Sequence, residues 1–144
     1  FIIKSNYMVY TEIISGLWIS NIDMIYNKQF LKDNDIKIII NCTVNYKFNN
    51  DSTIKNIRLP LVENLYSNID ILRNNKEKIL SYIDSNLSEN NILISCYDGK
   101  NISPFIISLY LIKYGGITKD NIKQIIRSKN INLSLDFDIE LLDL

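Results

Sequence analysis

Histidine is absent from this sequence. That one absence removes Ser–His and His–Cys catalysis, imidazole metal sites and the usual general base. Only two cysteines occur, Cys42 and Cys96. Each ends a β-branched apolar run and neither has metal-ligand spacing, so no disulfide framework or metal site is predicted and a reducing, intracellular and cytoplasmic setting is expected. Sixteen basic and sixteen acidic side chains cancel to a net charge of zero, which argues against a nucleic-acid footprint or a polybasic membrane surface. No apolar run approaches the ~18 to 20 residues of a membrane span, and no signal-peptide pattern is visible. Repeats, low-complexity tracts and interdomain linkers are missing too.

What is present is a chain of 144 residues, 47% apolar, enough for a single domain, residues 1–144, with its own core. Met8 to Ile14 and Leu17 to Ile19, joined across Ser15-Gly16, read as a hairpin or a pair of edge strands. Ser20 or Asn21 caps a predicted helix to about Lys32. Ile36 to Asn41 is the strongest strand and is expected at the sheet centre. Val44 to Thr53 is a polar surface loop. Asn56 to Leu59 is a strand stopped by Pro60. Asn68 opens a long helix to about Ser88, its apolar residues at helical spacing. Ile92 to Ile94 is a buried strand, Pro104 to Tyr114 a nearly all-apolar buried helix ended by Gly115-Gly116, Thr118 to about Lys129 a shorter helix, and Leu135 to Leu144 a last one. Strands alternating with helices imply a three-layer α/β domain.

The chemistry concentrates between Asn90 and Phe105, NNILISCYDGKNISPF. A buried strand, a short loop with one glycine, and a Ser-Pro pair opening a helix make an anion cradle, because loop N–H groups and the free N–H groups of the first helical turn converge. Ser103 is the expected N-cap and Pro104 the first helical residue. Cys96 lies at the bottom, where such donors are expected to stabilise a nucleophilic thiolate. By residue type alone a small core cysteine is the plainer reading; the position just past a strand and three residues before Gly99 favours the nucleophile place.

This stretch resembles the HCxxGxxR[ST] signature of the cysteine-dependent dual-specificity protein phosphatases, with Cys96, Gly99 and Ser103 in register. Other segments agree in order. SGLWISN (Ser15 to Asn21) is similar to that family's second strand, IKIIINCT (Ile36 to Thr43) to a core strand, RLPLVEN (Arg58 to Asn64) to the general-acid segment, and Ser108 to Asn130 to a helix pair. The resemblance runs from roughly Tyr10 to Leu142. It implies a protein tyrosine phosphatase-like fold, a central mostly parallel sheet of about five strands flanked by helices, with no cofactor and no metal. It also implies a mechanism in which a thiolate attacks a phosphorylated side chain, an arginine clamps the phosphoryl oxygens and an aspartate protonates the leaving oxygen.

The departures fall on that machinery. Ile102 stands at the arginine position, Asn64 at the general-acid position and Ser95 at the histidine position. Loss of a bidentate charge clamp costs on the order of 10³ to 10⁵ in rate in phosphoryl transfer, and loss of a general acid roughly 10² to 10⁴. Within the phosphate loop, Tyr97, Asp98, Gly99, Lys100 and Asn101, Asp98 brings charge of the wrong sign for a dianion. Lys100 is either a point-charge substitute or a solvated side chain, and Glu63 either a stand-in acid or an exposed loop carboxylate. Without its arginine, Ile102 is expected to pack toward Phe105 or Ile106. The expected function is that of an inactive or severely impaired phosphatase homologue acting by binding protein, its partner a phosphoprotein or an active phosphatase. The alternatives are a working phosphatase of altered chemistry using Cys96, and a dimerising scaffold that forms a homodimer.

Overall fold

The isoleucine-rich runs become one sheet. In a computed structural model that describes residues 8–144, β1 (Tyr10–Ile14), β2 (Leu17–Asn21), β3 (Ile36–Asn41), β4 (Lys55–Arg58) and β5 (Asn91–Cys96) take the order β1-β2-β5-β3-β4. β1 and β2 pair antiparallel as a hairpin; β2 with β5, β5 with β3, and β3 with β4 are parallel. The strand carrying Cys96 is therefore the middle one, and β3 is its neighbour rather than the centre.

Alternation along the strands divides the core into two layers. Leu17, Ile19, Ile38, Ile40, Ile92, Ile94 and Cys96 face one side, and Ile39 and Leu93 the other. The first side is covered by α2 (Ile69–Leu87), α3 (Ile102–Tyr114) and α4 (Lys119–Lys129), the second by α1 (Lys28–Asp33) and the turn before it. α2 needs only one apolar stripe, Leu72, Ile79, Leu80 and Ile83. α3 is buried continuously from Ile102 to Leu111, which is why its sequence is apolar on every face.

Three predicted helices are corrected. The Ser20-to-Lys32 helix is two pieces, a 3-10 turn at Ile22–Tyr26 and α1, because the Asn27 side chain accepts the Phe30 N–H at 3.0 Å and starts a new helix. α3 begins at Ile102, not Pro104, with Asn101 in the capping position, so Ser103 lies inside the first turn and caps nothing. The last predicted helix shrinks to a 3-10 turn at Ile139–Asp143. Before it, Leu133, Leu135 and Phe137 are buried at every second residue along an irregular segment in which Leu135 takes a left-handed φ of +50°, neither of which a continuous helix allows. Phe137 stacks edge-on against Phe105 of α3, ring centroids 5.1 Å apart.

Candidate active site

The register of the sheet brings the site together. Asn21 pairs with Cys96 across β2 and β5, and Asn41 with Ser95 across β3 and β5, so three strand C-termini meet beneath the loop 97–101. The Cys42 N–H donates to the Ser95 carbonyl at 2.7 Å, and the Ser95 hydroxyl to the Asn21 carbonyl at 2.9 Å. Ser95 is thus a cross-strand tie. Gly99 holds the loop's close approach to β2: its φ is +71°, and a Cβ there would lie 2.4 Å from the Asn21 nitrogen. No L-residue with a side chain fits that backbone. From the far side the irregular C-terminal segment braces the loop, the Leu135 N–H donating to the Lys100 carbonyl at 3.2 Å and the Asp136 N–H to Asn101 Oδ1 at 2.9 Å.

Donors do converge on Cys96. Its Sγ accepts the N–H groups of Gly99 at 3.2 Å and Ser103 at 3.3 Å, and the Ser103 hydroxyl lies 3.3 Å away. These would favour a thiolate, but burial opposes them and wins. Cys96 is fully buried, and desolvation pushes its thiol up to about 11, with the Asp98 carboxylate adding to the rise. The expectation of a stabilised thiolate is therefore corrected: the cradle supplies neutral dipoles but no cation, and dipoles alone do not offset the lost hydration. Asp98 Oδ1 lies 3.8 Å from Sγ and also accepts the Lys100 N–H at 3.0 Å, so the chain's own carboxylate takes a loop donor.

Ile102 is fully buried and shares one apolar cluster with Phe105 and Ile106, a burial that contributes roughly 1.5 to 3 kcal/mol. No other arginine replaces the missing clamp by visible design. Arg58 is spent on the Thr43 and Tyr46 carbonyls at 2.9 and 2.6 Å and lies over the Phe48 ring, Arg127 donates to the Ser134 carbonyl, and Arg73 sits exposed on α2. Among the described residues the Lys100 ammonium makes no hydrogen bond or ion pair.

Asn64 has local work: its Oδ1 accepts the Tyr66 N–H at 3.0 Å and caps the turn Leu65–Asn68. Glu63, exposed on that loop, has its carboxyl raised by partial burial and then by Asp98, which places the two carboxylates within electrostatic reach of each other. Tyr97, Asp98 and Lys100 line a cavity of about 390 Å³ together with Asn21, Asp23 and Tyr46. The last three went unpredicted. Tyr46, from the loop read as merely polar, pairs with Tyr97 at 6.1 Å between centroids. Asn21 and Asn41 are buried at strand ends; a polar residue closing an apolar strand was the available signal. No group of three or more His, Cys, Asp or Glu among the described residues is placed to hold a metal.

The family profile described as dual specificity phosphatase, catalytic domain, matches residues 17–142. Solved structures similar to the chain include human DUSP28 (TM-score 0.81, 12% identity, covering 93% of this chain and 90% of that one). The human tyrosine phosphatase-like serine/threonine/tyrosine-interacting protein is another (TM-score 0.79, 15% identity, 93% of each chain). A leucine rich repeat and phosphatase domain containing protein from Entamoeba histolytica is a third (TM-score 0.76, 16% identity, 96% of this chain and 91% of that one). At these identities the likeness is one of fold. No curated protein matches the chain.

Proposed function

This chain belongs to the dual specificity phosphatase catalytic-domain family, and from that premise we propose that it is a pseudophosphatase, a member that has lost the reaction and works by binding protein in a reducing cell interior. The observation that carries the proposal is the burial of Ile102 where the signature loop has its arginine. In that position a planar guanidinium makes paired, charge-assisted bonds that tighten as phosphoryl charge spreads. An isoleucine packed into the core makes none, and it cannot be swung out without opening a cavity.

The other losses act in the same direction. With its thiol at about 11, Cys96 is ionised in about one molecule in ten thousand at pH 7, against about one in a hundred for an ordinary thiol near 9. Asn64 donates no acidic proton, and Asp98 repels a dianion that Lys100 alone would have to attract. Even if such deficits combine far from additively, little of a phosphatase's rate remains. Both cysteines are free, which suits a reducing compartment. Among the described residues no helix is long and apolar enough to cross a membrane. One similar structure is itself described as both phosphatase-like and an interacting protein, a precedent for binding on this fold.

Hydrolysis of an aryl phosphate by the chain beside its Cys96→Ser variant tests the proposal. Equal, background rates are expected; turnover lost in the variant would overturn it.

A further inference from the structure

We propose that the groove between β4 and α2 binds an extended acidic segment of a partner protein, one that carries both apolar side chains and carboxylates on the face it turns to α2 and adds as a strand to the free edge of β4. This names a partner chemistry for the binding role argued above and rests on that role, but it does not depend on the state of Cys96. Among the described residues β4 ends the sheet and its backbone ladders only with β3, while its Asn56 and Arg58 side chains donate to carbonyls of the preceding loop, so one row of its backbone groups is open to pairing. The groove beside it has a volume of about 300 Å³. Its floor is apolar: Ile57 and Leu59 come from the α2-facing side of β4 and its continuation, Ile79 and Tyr82 from α2.

Its rim is cationic. Lys55, exposed and 5.3 Å over the Tyr82 ring, and Lys78, exposed on α2, both line it, and no acidic residue does. In both lysines the ammonium is outside any salt bridge among the described residues, whereas the third cation of the groove, Arg58, is already held by the Thr43 and Tyr46 carbonyls. An added strand presents every second side chain to the same face. Those that turn toward α2 meet apolar floor flanked by two ammonium groups outside any salt bridge, Lys55 on the same face of β4 as Ile57 and Lys78 on α2, which is the pattern complemented by a segment whose α2-facing residues, every second one along the strand, include both apolar side chains and carboxylates.

A second copy of this chain fits the edge poorly. The β4 sequence KNIR carries cations and no carboxylate, so pairing β4 with another β4 sets like charges across the new ladder, which is destabilising.

The test is fluorescence-anisotropy titration of the full chain with a labelled peptide of the repeat Leu-Thr-Glu-Thr, whose leucines and glutamates share one face of an extended strand. Its glutamine counterpart and a counterpart with N-methylated backbone nitrogens are run beside it. Saturable binding is expected, weakened as salt is raised, lost in the N-methylated peptide, and reduced about tenfold or more both by the glutamine peptide and by the chain with Lys55→Glu and Lys78→Glu together. Both lysines are exposed, so circular dichroism should show the variant folded. Binding unaffected by the charge reversal, the absence of binding, or a concentration-dependent dimer abolished by that reversal would each overturn the proposal. Cys96-dependent hydrolysis with peptide binding intact would instead strike the pseudophosphatase reading and leave the groove standing.

Discussion

Replacing Ile102 by arginine restores the residue of the family's signature loop, and the structure dictates what the restoration does to stability. Ile102 is fully buried among apolar groups, so a guanidinium at its position has no anionic partner in the core. Leaving a buried charge unpaired costs on the order of 3 to 5 kcal/mol. For a domain of ~150 residues each kcal/mol moves the melting temperature by about 2 to 4 °C, which puts the Ile102→Arg variant on the order of 10 °C below the wild type in an anion-free buffer. The same guanidinium starts the helix that borders the cradle, so an anion held there is its natural counterion. If phosphate binds the variant with a dissociation constant of ~1 mM, ~20 mM phosphate restores about 1.8 kcal/mol, or roughly 4 to 7 °C. The wild type, whose loop is held by packing, should shift by less than ~1 °C. Thermal unfolding of both proteins with and without phosphate measures all of this. A variant as stable as the wild type without phosphate would refute the idea that Ile102 is a packing element. An equal phosphate shift in the wild type would refute the idea that the cradle has lost its anion.

Adding Asn64→Asp to Ile102→Arg should yield a measurable aryl phosphatase rate that depends on Cys96; if the folded double variant stays at background, the loop no longer has the family's shape. Gly99→Ala should cost at least ~2 kcal/mol in denaturant unfolding, since it combines a left-handed φ with a Cβ driven into the Asn21 backbone; a loss under ~0.5 kcal/mol would mean that the loop stands off from β2. Stability should fall in alkali. The folded Cys96 thiol is raised from 9.0 to about 11, so its contribution is intact below the ordinary thiol value and is lost as pH rises from about 9 to 11, on the order of 3 kcal/mol in all. Cys96→Ser should flatten that part of the decline, and an unchanged alkaline limb would count against it.

The signature loop was legible because its cues are local: an apolar run, a glycine with a forced backbone, and a helix start at fixed distances. Four strands and the positions of α2, α3 and α4 are legible because their apolar residues recur at strand or helix spacing, and β4, which has one apolar residue, is legible from the Pro60 that stops it. What failed was decided by single side chains or by distant partners. Asn27 breaks a helix with one capping bond that no periodicity reveals. A helix over Leu135 to Leu144 is the local reading, whereas the alternate burial of Leu133, Leu135 and Phe137 depends on distant partners, the apolar wall of α3 and two bonding groups of the loop 97–101. The state of the thiol was misjudged for a physical reason. Donor geometry can be inferred from a motif, but desolvation depends on the whole apolar cluster that buries Cys96, of which Ile102 is one member. Tyr46 and Asn21 reach the mouth only through sheet register and loop path, which sequence spacing does not encode.

The most direct test of the proposed pseudophosphatase reading is the pH dependence of Cys96 alkylation in the folded protein, taken as the difference between the wild type and Cys96→Ser so that Cys42 cancels. With the thiol at about 11, the rate should climb about tenfold per pH unit from about pH 6 to 9 and show no plateau, because the thiolate fraction is still rising throughout. A rate already level at neutral pH would mean a poised thiolate, and would contradict the claim that this cradle no longer makes one.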